Sequence, residues 1–143
     1  MSDDSIETPD PNRKALLFLC VANSARSQMA EAFARFLGPA DLEVYSAGSA
    51  PGQLNPFAVR AMKEVGIDIS TARSKGVDDV PLDRVLTVVT LCAEEECPAL
   101  PGALHRLAWP LPDPAGATGG DDEILAAFRR TRDEIRELVS RLF

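Results

Sequence analysis

The stretch LFLCVANSARSQMAEAF, residues 17–33, changes character twice. It opens inside an unbroken apolar run, ALLFLC (15–20), the pattern of a strand buried on both faces. It closes in a segment where Met29, Ala30, Phe33, Phe36 and Leu37 share one helical face, stopped by Gly38-Pro39. Between the two lies a short turn of small residues running from Cys20 to Arg26. Strand, tight turn and helix in that order form the first half of a right-handed βαβ unit. The backbone N–H groups of such a turn gather at the positive end of a helix, where an anion can bind.

The rest of the chain repeats the alternation. LEVYSAG (42–48) reads as a second strand, and Asn55-Pro56 as a helix start whose face is Ala58, Ala61, Met62 and Val65. Residues 67–84 are mixed and polar, a loop with at most a short helix. RVLTVVTLC (84–92) is a β-branched third strand, and ALHRLAW (103–109) a shorter fourth. Asp121 or Asp122 then caps a long helix with Ile124, Phe128, Ile135, Leu138 and Leu142 at helical spacing. The expected fold is α/β: one domain, a four-stranded parallel sheet with helices on both faces, and the anion loop between first strand and first helix. Residues 1–13, acidic and aperiodic, read as a disordered tail, and 14–143 as the single catalytic domain. Ligands of such sheets bind outside the carboxyl ends of the strands. Cys20, Cys92 and Asp113 all fall at that edge.

Bulk properties narrow the partners. With 143 residues, 45% apolar content and a net charge of −7, the chain suits one globular domain. It lacks the basic surface that nucleic acid or an anionic membrane requires. No apolar run has the length of a membrane span, and MSDDSIETPDPNRK has no signal-peptide pattern, so a cytoplasmic location is expected. Three cysteines in that compartment read as catalytic, redox-active or metal-binding rather than as structural disulfides. A zinc site is disfavoured, because Cys92 and Cys97 leave only Cys20 and the single His105 as further partners. No metal ligand is therefore assigned.

In the loop Cys20-Val21-Ala22-Asn23-Ser24-Ala25-Arg26, Asn23 suits a left-handed backbone position and Arg26 adds a planar fork for two oxygens. Such a field favours a thiolate at Cys20, to which the hydroxyl of Ser24 or Ser27 can hydrogen-bond. A bare Cys-x5-Arg spacing reads equally as a buried thiol near a surface arginine. The full string CVANSARSQMAE is more specific. It resembles the anion loop of the low-molecular-weight protein tyrosine phosphatase fold, and more closely that of thioredoxin-coupled arsenate reductases built on it. The resemblance runs from about Ala15 to the C-terminus, with YSAG, MKEVGIDIS, VVTLC and DPAG in the expected order. It implies that Cys20 attacks the oxyanion while the Arg26 side chain and the N–H groups of Val21 through Arg26 hold its oxygens. It further implies that Asp113, in PDPAG, acts as general acid. Taken without the resemblance, Asp113 is a turn residue before proline.

The same resemblance separates two chemistries. A phosphatase needs only Cys20, Arg26 and Asp113, whereas a reductase needs a second thiol. The resemblance implies a relay in which Cys92 attacks Cys20 and Cys97 then takes over the disulfide for thioredoxin or a similar thiol donor. A helix over 92–97 would hold those two Cα atoms roughly 8–9 Å apart, too far for a disulfide, so an irregular segment is expected there. Arsenate is the implied substrate, with phosphate or sulfate as competing oxyanions, no organic cofactor and a monomeric enzyme. Some members bind potassium at positions matching Asn23, Glu31, Ser46 and Lys75. A lysine ammonium in the cation's place implies activity independent of potassium. Two further readings stand: a phosphatase acting on aryl or protein phosphotyrosine, and a non-enzymatic sensor of oxyanion or redox state.

Overall fold

The computed structural model describes residues 14–92 and 105–143; the expected tail and Cys97 lie outside the described residues. Four parallel strands, β1 (Ala15–Cys20), β2 (Val44–Gly48), β3 (Val85–Thr90) and β4 (His105–Ala108), stand in the order β2-β1-β3-β4. Three helices accompany them: α1 (Arg26–Leu37), α2 (Pro56–Glu64) and α3 (Asp121–Ser140). The expected four-stranded α/β architecture is the one observed.

β1 is central and buried at every residue, which is why its sequence is apolar without alternation. Leu16 and Phe18 point into the larger core with Met29 and Phe33 of α1, Met62 of α2, and Phe128 and Ile135 of α3. Leu17 and Leu19 point the opposite way, against Ala47, Val80, Val85 and Val88. Full burial of side chains such as Phe18, Phe33 and Phe128 stabilises the fold by roughly 1.5–3 kcal/mol each. Among the described residues the second face is covered by single 3-10 turns, Val77–Asp79 and Leu82–Arg84, while the α-helices pack on the first.

Several local expectations shift. β2 starts at Val44 rather than Leu42, and β3 ends at Thr90, leaving Leu91 and Cys92 buried just beyond it. Phe36 is 65% exposed although it lies on the face of Met29. It comes two turns later, about 10 Å further along the axis, where it lines a surface cleft with Ile67 and Ala72 instead of the core. Asn55 caps α2 as expected, its Oδ1 accepting from Phe57 N at 2.8 Å. The α3 cap is Gly120 rather than an aspartate: Glu123 reaches back to accept from the Gly120 N–H at 3.2 Å. The buried stripe of α3 accordingly centres on Leu125, Phe128, Ile135 and Val139, with Ile124, Leu138 and Leu142 at its margin.

Candidate active site

Cys20 ends the central strand, so its sulfur is delivered by the most rigid element of the fold. The chain then turns through Val21–Ala25 into α1, whose N-terminus carries no side-chain cap and no acidic residue in its first turn. The first N–H groups of a helix have no partner within it. At α3 three acidic residues fill that place, whereas at α1 it is left for an external anion.

The loop is held from outside by its carbonyls. Val21 O accepts from Ala50 N, Ala22 O from Gly52 N and Ser24 O from Asn55 N, each at 2.9 Å. With its carbonyl edge turned outward, the loop presents its N–H edge to the Cys20 sulfur, and Asn23 N donates to Sγ at 3.2 Å. Asn23 takes a φ of 51°, alone among the non-glycine described residues in having a positive value. Close packing against β2 makes this turn possible. A Cβ on Gly48 would lie 2.2 Å from Val21 O and 2.9 Å from Asn23 N, so only glycine fits there.

Asn23 is also held from inside. Its Oδ1 accepts from Lys75 N at 2.8 Å and from Gln28 Nε2 at 3.0 Å, and its backbone O accepts from Ser74 Oγ at 2.8 Å. Its Nδ2 donates to Ser27 Oγ at 2.7 Å, and Ser27 Oγ lies 2.8 Å from Cys20 Sγ. Of the two serines considered for the sulfur, the structure therefore brings Ser27 to it. Gln28, Ser74 and Lys75 were not among the site residues expected from sequence; the run of small polar residues 74–76 gives no signal of its purpose.

Arg26 is buried, and its Nη1 donates to the carbonyls of Leu91 at 3.2 Å and Leu111 at 2.8 Å. Its Nη2 stands 3.8 Å from Asp113 Oδ2. The guanidinium thus ties together the end of β3, the segment after β4 and the loop itself. Asp113 is 41% exposed and caps the 3-10 turn Pro114–Gly116, accepting from Ala115 N at 3.0 Å. Cys20, Val21, Ala22, Ser24, Ala25, Arg26 and Asp113 line one cavity of about 120 Å³, the size of a small inorganic anion rather than of an extended ligand. Cys20 is a free thiol, and Cys92, nearly buried one residue past Leu91, is disulfide-bonded. Leu91 N donates to Leu19 O at 2.9 Å, so Cys20 and Cys92 follow paired residues on adjacent strands. His105 lies exposed on the edge strand β4, away from the residues lining this cavity.

Lys75 meets the expectation made for it in position. Its Nζ donates to Arg73 O at 3.1 Å and stands 3.7 Å from Glu31 Oε1, which also accepts from Ser46 Oγ at 2.5 Å.

Similarity to known proteins agrees with this geometry. Residues 15–143 match the model of the low molecular weight phosphotyrosine protein phosphatase family. An arsenate reductase of Halalkalibacterium halodurans is 50% identical over 131 residues, 90% of this chain and 94% of that protein. A solved arsenate reductase in its phosphate-binding state aligns with a TM-score of 0.76 at 35% identity, covering 90% of this chain and 95% of that one. A thioredoxin-dependent arsenate reductase of Corynebacterium glutamicum aligns with a TM-score of 0.64 at 32% identity, over 94% of this chain and 63% of that one. The chain belongs to the low molecular weight phosphotyrosine protein phosphatase family, in the group that includes these arsenate reductases.

Proposed function

We propose that this enzyme reduces arsenate to arsenite, with Cys20 as nucleophile and Cys92 and Cys97 as a thiol relay reoxidised and regenerated through a thioredoxin-like donor. The observation that carries the reading is the placement of Cys20 and Cys92 after paired residues of neighbouring strands, beside one oxyanion-sized cavity. Adjacent strands lie about 4.8 Å apart, so a second sulfur at that edge has a short path to the first.

The chemistry balances as follows. The Cys20 thiolate attacks arsenic, forming an S–As bond while one oxygen leaves as water after taking a proton from Asp113. Arg26 and the loop N–H groups hold the remaining oxygens. A Cys92 thiolate then attacks Cys20 Sγ; the S–As electron pair stays on arsenic, which departs as arsenite, and a Cys20–Cys92 disulfide forms. Cys97 attacks Cys92 in turn, freeing Cys20, and a dithiol donor reduces the resulting disulfide. A free Cys20 beside an oxidised Cys92 accords with the last state of this sequence. The Corynebacterium protein's dependence on thioredoxin supports the same class of donor here. Phosphate and sulfate compete for the cavity, being tetrahedral and anionic like arsenate.

The second reading, hydrolysis of aryl or protein phosphotyrosine through a phosphocysteine, is favoured by one fact: Cys20, Arg26 and Asp113 suffice for it. A Cys92→Ser variant separates the two. Its arsenate turnover with a thioredoxin system falls at least 100-fold, while its hydrolysis of p-nitrophenyl phosphate stays at the parental level. Absence of arsenate turnover in the parent with thioredoxin, glutaredoxin and mycothiol alike sinks the reductase reading. A Cys97→Ser variant completes one turnover and stops as a Cys20–Cys92 disulfide, visible by mass spectrometry.

A further inference from the structure

Gln28 sits in the first turn of α1, one residue past Ser27, and is 3% exposed. Its side-chain nitrogen faces three oxygens: Arg73 O at 2.8 Å, Asn23 Oδ1 at 3.0 Å and Asn23 O at 3.3 Å. Only an amide nitrogen is tolerated among three acceptors, so the orientation of the Gln28 amide is unambiguous.

The orientation of Asn23 then follows. Lys75 N is a backbone donor and can only donate, and it meets Asn23 Oδ1 at 2.8 Å. Together with Gln28 it fixes the oxygen of the Asn23 amide on one side and its nitrogen on the other. That nitrogen donates to Ser27 Oγ at 2.7 Å. Ser27 has one hydroxyl hydrogen, and with its oxygen already accepting from Asn23, the hydrogen is directed to Cys20 Sγ at 2.8 Å. A sulfur that receives hydrogen bonds from Ser27 Oγ and Asn23 N is stabilised as thiolate. With the Asn23 amide reversed, Ser27 would donate to asparagine and accept from the thiol, favouring the protonated sulfur.

We propose that Gln28 is a positioning residue for the nucleophile: by fixing the Asn23 amide it sets the direction of the hydrogen-bond chain Asn23→Ser27→Cys20 that keeps the thiolate. The inference concerns only the reactivity of Cys20, so it stands whether the oxyanion is arsenate or a phosphate ester. The helix position of Gln28 gives no hint of the role, because its partners come from the loop before it and from the segment around Arg73.

The test reads the thiolate directly. Rates of Cys20 alkylation by iodoacetamide are measured against pH in the parent, Gln28→Met, Gln28→Glu, Ser27→Ala and the double variant, each in a Cys92→Ser/Cys97→Ser background. Both Gln28 variants are expected to move the midpoint up by about one pH unit, which below both midpoints is about a tenfold slower alkylation. They regain the parental rate at high pH, where every variant is a thiolate. In the Ser27→Ala background, Gln28→Met adds no further shift, because the path through Ser27 is already gone. A parental midpoint in both Gln28 variants overturns the proposal. So does a shift in the double variant equal to the sum of the single ones. A variant too unstable to assay is replaced by the other, and melting temperatures measured alongside separate a loss of fold from a loss of thiolate.

Discussion

Arg26 Nη1 donates to Leu111 O at 2.8 Å, so the residue that faces the anion also grips the chain two residues before Asp113. The same nitrogen holds Leu91 O, next to Cys92. The clamp, the proton donor and the second cysteine are therefore positioned by one buried guanidinium. Lysine in place of Arg26 keeps the charge and loses the fork. Arg26→Lys is expected to lower turnover at least 100-fold, about 3 kcal/mol of transition-state stabilisation, and to lower the melting temperature as well. Unchanged thermal stability would show that the Leu91 and Leu111 contacts contribute nothing.

Asp113 offers a cleaner separation of chemistry from fold. Its Oδ1 accepts from Ala115 N, a role asparagine can fill. Asp113→Asn is expected to reduce the rate of the oxygen-expulsion step about 100- to 10,000-fold with little change in melting temperature. A single-turnover rate equal to the parent's removes Asp113 from the reaction.

Gly48 tests the loop from behind. Both atoms that would meet its Cβ, Val21 O and Asn23 N, are backbone, and neither can swing aside. Gly48→Ala is expected to cost about 1–3 kcal/mol of stability and to weaken phosphate binding more than tenfold, measured by calorimetry on both. Parental phosphate affinity would mean that the loop adapts.

Lys75 stands among Glu31, Arg73 O and the loop. Its ammonium supplies the positive charge there, so exchange of sodium for potassium at constant ionic strength leaves activity and melting temperature unchanged. A rise specific to potassium removes this role from Lys75.

Glu64 governs stability at acid pH. Hydrogen bonds from Arg129, then Arg132, and their charges outweigh desolvation and lower its carboxyl to about 2 from the ordinary 4.5. A carboxyl depressed in the folded state stabilises above its unfolded value, and the contribution is lost as pH falls. Glu64→Gln is therefore expected to melt below the parent at pH 7 and to converge with it between about pH 4.5 and about pH 2. Parallel curves across that window would rule out the linkage.

What the sequence by itself determined is local. The apolar run of β1, the small polar turn and the periodic face of α1 each depend on neighbours within a few positions, and they placed Cys20 and Arg26 on a strand-to-helix loop. The Asn55 cap was legible for the same reason. Only the tertiary structure decided what that loop is held by. Its carbonyls are met by residues 50–55, Asn23 by Ser74 and Lys75, Arg26 by Leu91 and Leu111, and the Asn23 amide is oriented by Gln28. Phe36 shows the limit on the apolar side: its periodicity was right, yet the core ends before it. The physical reason is range. Periodicity and capping act over one or two turns of chain, whereas these hydrogen bonds mostly join atoms distant in sequence, and many end on backbone groups that every residue carries alike.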